Sequence, residues 1–436
     1  MLSGEDIVCF ALRRWDSPWK NNQQVMSCFA KGNRVLYVDP PRPFREAIGE
    51  TLGRVERKPV LEHVIGGLHL YHGPRLLARW GRNHLVSRFF NWVTAPARLA
   101  HVRDLAAGMG FRAPILWIYD PMLAPAIGSL QEKLVLYYVI DNYAEYFSED
   151  EGVWRSAITR DHVRMMKRAD IVLTVSQSLY EQGLQHNRNT FLVPNGVNYD
   201  FFQEVMRSEG VPPDMREIPK PIIGYVGVVH SVIDFSLLER VASERREWSL
   251  MLVGPAESMT VEDRRAFRRL VGFPNVYYLG SKHPEELPGY IKNCDVALMP
   301  YRIGPLTSGG DSIKLYEYLA CGRPVVSTPL PSARRFGSLI EIAESAAEFV
   351  ECIERGLRES PDRCRARMAV AQEHSWQRRV EVISGIVTRS LNLRRSGNRL
   401  PSGFHAAGSE APLAGTEPIG PSAAVGKPDV DLGVVR

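Results

Sequence analysis

Short apolar runs of strand-forming residues alternate with helix-forming segments along most of this chain. The runs in its first half are 6–12, 34–39, 114–119, 134–140, 170–176 and 190–194. Those in its second half are 221–227, 248–254, 275–280, 295–300 and 323–328. Continuous apolar strands joined by helices are typical of parallel sheets covered on both faces. Because the series stops and restarts, we predict an α/β protein with two doubly wound, Rossmann-like domains.

The boundaries follow from changes in composition. We place an N-terminal domain at 1–200 and a second domain at 215–375, separated by a polar segment that contains proline. A helix at 376–395 follows and is expected to pack back on the first domain. Residues 396–436 are rich in Gly, Pro, Ala and Ser, so we expect a disordered tail.

Composition narrows the classes of protein. A hydrophobic fraction of 44% permits a large core, and a net charge of +5 is too small to indicate a nucleic-acid partner. The six cysteines form no CxxC pair, which favours free thiols and disfavours zinc. We see no signal peptide and no apolar run of membrane-spanning length, so we expect a cytoplasmic protein.

The stretch TSGGDSIKLYEYLACGRPVVST (307–328) describes the start of a helix in unusual detail. Gly309 and the glycine after it let backbone approach a ligand closely. Asp311 and Ser312 are residue types that cap helices. The helix start offers free N–H groups and the positive end of a dipole, which suits an anion.

Two charged side chains follow on the same helix. Lys314 adds a full positive charge at the helix start, so a diphosphate is a natural ligand, and Glu317 is suited to accept hydrogen bonds from sugar hydroxyls. The alternative is a capped helix with an exposed Lys–Glu pair, and the stretch alone leaves both readings open.

Other loops of the second domain also place glycine just after a strand, including Gly227 and Gly254. A single glycine there is weak support, because turns often need one. Several such loops on one sheet favour a nucleotide pocket. His230 follows the first of these strands and is placed to contact phosphate or sugar, although a structural role is equally consistent with one histidine.

These segments resemble GT-B glycosyltransferases of the family 1/family 4 group. The similar segments are NVYYLGSKHPEELPGYIKNCDVALMPYR (275–302), SIKLYEYLACGRPVVSTPLP (312–331), ADIVLTVSQSLYE (169–181) and HSWQRRV (374–380). The opening RRWDSPWKNNQQVMSCFAKGNRVLYVDPP (13–41) resembles the subset that acts in teichuronic-acid and other surface-polysaccharide assembly, and DSIKLYEY (311–318) resembles xanthan-type glucuronosyltransferases.

The resemblance implies transfer of a sugar, of hexosyl or glucuronosyl type, from a nucleotide-sugar donor, UDP- or GDP-linked, to a glycan or lipid-linked acceptor, with no permanently bound cofactor and no metal. The donor would lie on the second domain. The residues expected to bind the donor are Gly227, His230, Gly254, Ser308, Gly309, Ser312, Lys314, Leu315 and Glu317.

Two departures from the family pattern matter. Many retaining members carry two glutamates eight positions apart, and here the partner position of Glu317 is Gly309. Many members also carry Arg and Lys after the first strand of the second domain to bind the diphosphate, whereas GYVGVVHSVIDF (224–235) offers only His230 and Asp234. Retention or inversion therefore stays open.

The first domain offers a candidate general base. An acceptor hydroxyl must lose its proton as it attacks, and Asp141 follows a strong strand at the edge where ligands bind. A strand-end Asp is the base in the xanthan-type enzymes, and Asp141 aligns with it. A turn-capping role is the alternative. Asp16 and Trp19 are candidates for the acceptor site, with Asp120 as a further one.

The segment 75–105 combines several arginines with aromatic residues and leucines. Such a composition suits an anionic membrane surface, where a lipid-linked acceptor would lie. An ordinary helix with arginines on its wet face fits the same pattern.

Two rival functions share the predicted fold. A nucleotide-sugar 2-epimerase would use the same donor pocket without an acceptor. A non-catalytic sugar-nucleotide-binding protein would explain the missing diphosphate-binding pair, but not the presence of Lys314 and Glu317. A nicotinamide dehydrogenase is disfavoured, because no GxGxxG follows the first strand of either domain.

Overall fold

The computed structural model describes residues 1–41, 60–73, 84–146 and 152–396, with backbone alone for 84–92. Two separate sheets, each with its own apolar core, organise these residues. The expected tail beyond residue 396 and residues 75–83 of the basic segment 75–105 lie outside the described residues. Within the described part, no helix combines the length and hydropathy that crossing a membrane requires.

The first sheet has eight strands in the order β3-β4-β2-β1-β5-β6-β7-β8. All neighbouring strands are parallel except β3 and β4, which form an antiparallel pair at one edge. The chain order reverses between β1 and β5, which is where doubly wound sheets bind ligands. The strands are β1 (Asp6–Phe10), β2 (Arg34–Val38), β3 (Leu61–Ile65), β4 (Leu68–Tyr71), β5 (Ile115–Ile118), β6 (Leu134–Val139), β7 (Ile171–Thr174) and β8 (Thr190–Leu192).

The second sheet is wholly parallel, in the order β11-β10-β9-β12-β13-β14. This is the six-strand order of dinucleotide-binding folds, and its reversal lies between β9 and β12. The strands are β9 (Ile222–Val226), β10 (Ser249–Val253), β11 (Val276–Tyr278), β12 (Val296–Met299), β13 (Val325–Ser327) and β14 (Glu341–Ile342).

Helices cover both sheets and connect their strands. In the first half they are α1 (Asn21–Phe29), α2 (His84–Gly108), α3 (Gly152–Arg168), α4 (Gln177–Leu184) and α5 (Tyr199–Arg207). In the second half they are α6 (Phe235–Glu244), α7 (Val261–Leu270), α8 (Leu287–Asn293), α9 (Pro305–Gly309), α10 (Ile313–Ala320), α11 (Pro331–Arg334), α12 (Ala346–Leu357), α13 (Pro361–Glu373) and α14 (Trp376–Arg395).

The structure agrees with the predicted fold class, and each predicted strand contains one observed strand. Three strands were not predicted. The hairpin β3–β4 is short, and polar residues interrupt the apolar runs of both strands, LEHVI and LHLY. Strand β14 has only two residues.

The last helix, α14, returns to the first sheet. Trp376, Val380, Ile383 and Val387 are buried within the apolar core of that sheet, and α14 packs against α1. The end of the described chain therefore completes the core that its beginning started.

A buried arginine fixes the end of α10 against α13. Arg367 is 1% exposed and its guanidinium donates to the carbonyls of Gly322 and Leu339 and to the Glu359 carboxylate. Gly322 directly follows the last turn of α10. Arg367 thus satisfies a carbonyl at that helix end and restrains the helix that carries Lys314.

We predict that Arg367→Ala lowers the free energy of unfolding of the C-terminal domain by about 3–5 kcal/mol, since it leaves the buried Glu359 with only the longer Arg363 contact at 3.5 Å and removes the donor to two carbonyls. Urea denaturation measures the loss. The matched control is Arg365→Ala on the same helix, whose ion pair with Asp362 is mostly exposed and for which we expect at most about 1 kcal/mol. Equal losses in the two variants would contradict this account.

Candidate active site between the two sheets

Two glycines make room for Lys314 at the carboxyl end of β9. Gly227 has φ 148°, and a Cβ atom placed on it would lie 1.7 Å from Cε of Lys314. Gly254 has φ 135°, and its Cβ would lie 2.2 Å from the Gly227 carbonyl oxygen. Gly254 therefore lets the Gly227 backbone approach, and Gly227 lets the lysine side chain lie across it.

Lys314 is the second residue of α10, and its ammonium lies over the ring of Tyr225, with 5.6 Å between Nζ and the ring centroid. Among the described residues, no carboxylate lies within ion-pair distance of this ammonium. A cation at a helix start, with a ring beneath it and no carboxylate partner, is placed to receive an anion.

Asp311 does not cap α10, contrary to the sequence interpretation. The helix begins at Ile313 with Ser312 at the N-cap position, and neither Asp311 nor Ser312 makes a side-chain cap bond. Asp311 instead is buried. Its carboxylate accepts hydrogen bonds from Arg335 at 2.8 Å and from the Tyr316 hydroxyl at 2.8 Å. The carboxylate lies inside the protein just before the start of α10, so it makes these buried hydrogen bonds and does not cap the helix.

Asp311 also binds the segment that leads out of the first sheet. Its carboxylate accepts from the Asn195 backbone N–H at 2.7 Å, and its carbonyl accepts from the Asn195 side chain at 2.6 Å. The Asn195 side-chain oxygen accepts from Asn21 at 2.8 Å, and Asn21 accepts from the Tyr119 hydroxyl at 3.1 Å. This buried chain of hydrogen bonds joins the start of α1 to the start of α10.

A second contact between the two halves lies at Gly309. Its carbonyl accepts a hydrogen bond from the Ser176 hydroxyl at 2.8 Å. A Cβ at this position would lie 3.1 Å from Cβ of Asn142, so the glycine permits close approach to the loop after β6. Ser308 lies beside it in α9, where its N–H bonds the Gly304 carbonyl.

Asp141 follows β6 and faces the same region. Its carboxylate accepts hydrogen bonds from the Asn142 N–H at 2.9 Å and from the Tyr146 hydroxyl. Burial raises the pKa of Asp141, while these two donors and the nearby cations Lys20 and Arg13 oppose the rise. The result is an oriented, largely desolvated carboxylate next to the Gly309 contact.

The charges of the same two lysines, Lys314 and Lys20, affect the pKa of both His230 and Glu317. Burial, followed by the charges of Lys314 and Lys20, lowers the pKa of His230 to about 4, so the imidazole is neutral at pH 7. Burial raises the pKa of Glu317, and Lys314 and Lys20 oppose this rise. The structure thus brings together His230, Lys314 and Glu317, which the sequence singled out, with Lys20, which it did not.

Leu315 is not placed to contact a ligand through its side chain. That side chain is fully buried in the second core, and its N–H bonds the Ser312 carbonyl. The spacing of the motif could not show this, because Leu315 is adjacent to Lys314 in sequence but points to the other side of the helix.

The predicted acceptor-side residues lie in the loop between β1 and α1. Asp16 is exposed and paired with Arg14 at 3.1 Å, and Trp19 is 43% exposed with its ring 4.9 Å from that of Trp15. A surface cavity of about 540 Å³ lies beside them, lined by Leu12, Arg13, Arg14, Asp16, Ser17 and Pro40. Asp120 is bound locally, because it accepts from the Met122 N–H at 2.8 Å.

Sequence reasoning missed Lys20, Arg13 and Tyr146. The available signal for Lys20 and Arg13 was their position in the loop after the first strand, at the predicted ligand edge. Tyr146 carried no such signal, since its hydrogen bond to Asp141 depends on how the chain turns between the two residues. Within the described residues, no group of three or more His, Cys, Asp or Glu residues is arranged to hold a metal ion.

Comparison with known proteins finds a family match in the second half of the chain. Residues 220–359 match the family described as glycosyl transferases group 1. A putative teichuronic acid biosynthesis glycosyltransferase, TuaH of Bacillus subtilis (strain 168), is 27% identical over 235 residues. That match covers 51% of this chain and 57% of TuaH, so the two are comparable over little more than half of the relative's length.

Solved structures match nearly the whole chain. The α,α-trehalose 6-phosphate synthase from Burkholderia multivorans has a TM-score of 0.64 at 12% identity, covering 90% of this chain and all of that one. HepE of Anabaena, solved with UDP and glucose, has a TM-score of 0.59 at 14% identity, covering 88% and 100%. These matches confirm the predicted GT-B fold and, with the family match, the resemblance to group 1 glycosyltransferases.

The Asp311 bonds predict a stability effect. Asp311→Asn places an amide donor among the donors of Asn195, Tyr316 and Arg335, so we expect the free energy of unfolding to fall by roughly 1–3 kcal/mol. Thermal and urea denaturation measure it. Glu344→Gln is the control, because it makes the same chemical change in an exposed ion pair and should have little effect. A stability of Asp311→Asn equal to that of Glu344→Gln would refute the structural role.

Proposed function

We propose that this chain, whose residues 220–359 match the family described as glycosyl transferases group 1, transfers a sugar from a nucleotide-sugar donor to a glycan or lipid-linked acceptor in cell-surface polysaccharide biosynthesis. The observation that carries the proposal is the position of Lys314. Its ammonium has no carboxylate partner within the described residues and lies over Gly227, at the point where the strand order of the second sheet reverses. The similarity to TuaH supports the polysaccharide context.

The donor would bind to the second domain through its diphosphate. Lys314 and the start of α10 provide positive charge, and Gly227 and Gly254 leave the room in which the Lys314 side chain lies across the end of β9. Glu317 is suited to accept hydrogen bonds from hydroxyls of the sugar or ribose. The neutral imidazole of His230 can donate to a phosphate oxygen and can donate to or accept from a hydroxyl. UDP is the first nucleotide to test, because HepE was solved with UDP and glucose.

Asp141 is suited to act as the general base. An acceptor hydroxyl would attack the anomeric carbon and pass its proton to the Asp141 carboxylate, while the bond to the nucleoside diphosphate breaks and its electrons leave with the phosphate oxygen. The pKa of Asp141, raised by burial, increases its affinity for that proton. Lys314 would stabilise the charge that develops on the leaving diphosphate.

The comparisons favour transfer over the rival functions. A 2-epimerase would need the donor pocket alone, whereas here the loop that carries Asp141 contacts Gly309 of the second domain through Asn142. Release of nucleoside diphosphate only in the presence of acceptor distinguishes transfer from isomerisation. Peripheral contact with an anionic membrane and a location at its cytoplasmic face remain part of the proposal, since a lipid-linked acceptor would lie there.

We expect UDP, within a panel that also contains GDP, ADP, TDP and NAD, to raise the melting temperature of the wild type. Lys314→Ala should weaken UDP binding by about 1.5–3 kcal/mol, because it removes a charge-assisted hydrogen bond to phosphate. Calorimetry measures this loss. Lys167→Ala removes the same group from an exposed helix end and serves as the control. Unchanged affinity in Lys314→Ala would remove Lys314 from the site.

A second prediction concerns Asp141. Asp141→Asn should lower the rate of acceptor-dependent nucleoside diphosphate release by roughly 10²–10⁴-fold, the contribution typical of a general base, because the amide cannot take up a proton. Donor affinity should stay at the wild-type value. Asp104→Asn, which makes the same change at an exposed carboxylate of the first domain, is the comparison variant. Loss of donor binding in Asp141→Asn, rather than of turnover, would assign Asp141 to the donor site instead.

A further inference from the structure

We infer that Lys20, on the N-terminal domain, is the second cation of the donor diphosphate site and binds the same diphosphate as Lys314. This inference rests on the proposed function and adds to it a residue from the opposite domain. The loop after β9, from Gly227 to Asp234, contains no lysine or arginine, so the second domain offers no partner for Lys314 there. The first domain supplies one.

Lys20 stands where the first sheet binds ligands. It is the residue before α1, at the end of the loop that leaves β1, and the strand order reverses between β1 and β5. Its side chain is partly buried. Among the described residues no carboxylate lies within ion-pair distance of its ammonium, as is also true of Lys314. Desolvated cations without carboxylate partners are costly in the absence of an anion.

The two lysines lie next to segments that contact one another. The Asn21–Asn195 and Asn195–Asp311 hydrogen bonds bring the residue after Lys20 close to the residue three before Lys314. In agreement with this, the charges of both lysines lower the pKa of His230 and oppose the rise in the pKa of Glu317. A diphosphate carries charge on both phosphates, which suits two separate cations better than one.

The protein holds the two lysines in place despite their repulsion. Asn21, the neighbour of Lys20, bonds Asn195, and Asn195 bonds Asp311, three residues before Lys314. These bonds are buried and fix the starts of α1 and α10 relative to one another. The lysine backbones therefore cannot separate to relieve the repulsion, and an anion between the side chains relieves it instead.

The decisive experiment is calorimetry of UDP binding to the full chain. We expect Lys20→Ala to weaken UDP binding by roughly 10- to 100-fold, the range for a hydrogen bond to a charged group. The loss should be smaller for UMP, which lacks the second phosphate. Lys31→Ala is the matched control, since it removes an exposed lysine just beyond the other end of α1. Melting temperatures verify that each variant is folded.

A pH series gives an independent readout. Burial, then repulsion by Arg13 and Lys314, lowers the pKa of Lys20 to about 8, with Asp141 and Glu257 opposing. The charged form binds the anion, so wild-type affinity for UDP should fall as the pH rises from 7 to 9.5 and approach that of Lys20→Ala. Lys20→Arg keeps its charge over this range. It should therefore lose less affinity than the wild type.

The possible results separate the two hypotheses. If the wild type and Lys314→Ala differ in UDP binding but Lys20→Ala equals the wild type, the inference about Lys20 is wrong and the proposed function stands. An equal loss for UMP and UDP in Lys20→Ala would also overturn the inference, because Lys20 would then not serve the second phosphate. If the wild type binds no nucleoside diphosphate, the proposed function itself fails, and the inference fails with it.

Discussion

The geometry of the candidate active site depends on the hydrogen bonds that the buried carboxylate of Asp311 accepts. It accepts hydrogen bonds from Arg335 and Tyr316 within the second domain and from Asn195 at the exit of the first. Because a carboxylate has several acceptor positions, one side chain can bind donors from both halves of the chain. Its place just before α10 means that the same bonds fix where that helix begins, and hence where Lys314 stands.

Around this anchor, the candidate site carries two lysines that have no carboxylate within ion-pair distance among the described residues. Lys314 belongs to the second domain and Lys20 to the first. The charges of both lower the pKa of His230, whose imidazole is neutral. Gly227 leaves room for the Lys314 side chain, and Gly254 leaves room for the Gly227 backbone. Gly309 permits the close contact between the domains. Stability comes from the cores and from buried bonds, whereas the cleft retains unsatisfied electrostatic potential of the kind that binding sites use.

The sequence was sufficient for most of the fold, because buried parallel strands are continuous apolar runs that short helices interrupt. It was insufficient for β3 and β4, because each strand is short and its apolar run is interrupted by Glu or His. For the site, local motif reasoning singled out Gly227 and His230, which closely follow β9, and Lys314, which lies in the helix-start motif. It misassigned Asp311 as a cap and missed Lys20, because their roles arise from contacts between segments more than a hundred residues apart.

The return of α14 to the first core has a consequence for the order of folding during synthesis. Trp376 and Val380 fill a core whose buried residues outside α14 lie between Leu2 and Val193 and are therefore made earlier. The second domain is continuous in sequence and its core is complete before α14 leaves the ribosome. Domains that are continuous can fold as units as they emerge. The N-terminal sheet must therefore wait with an uncovered apolar face, which makes it the part of the nascent protein that a chaperone would meet.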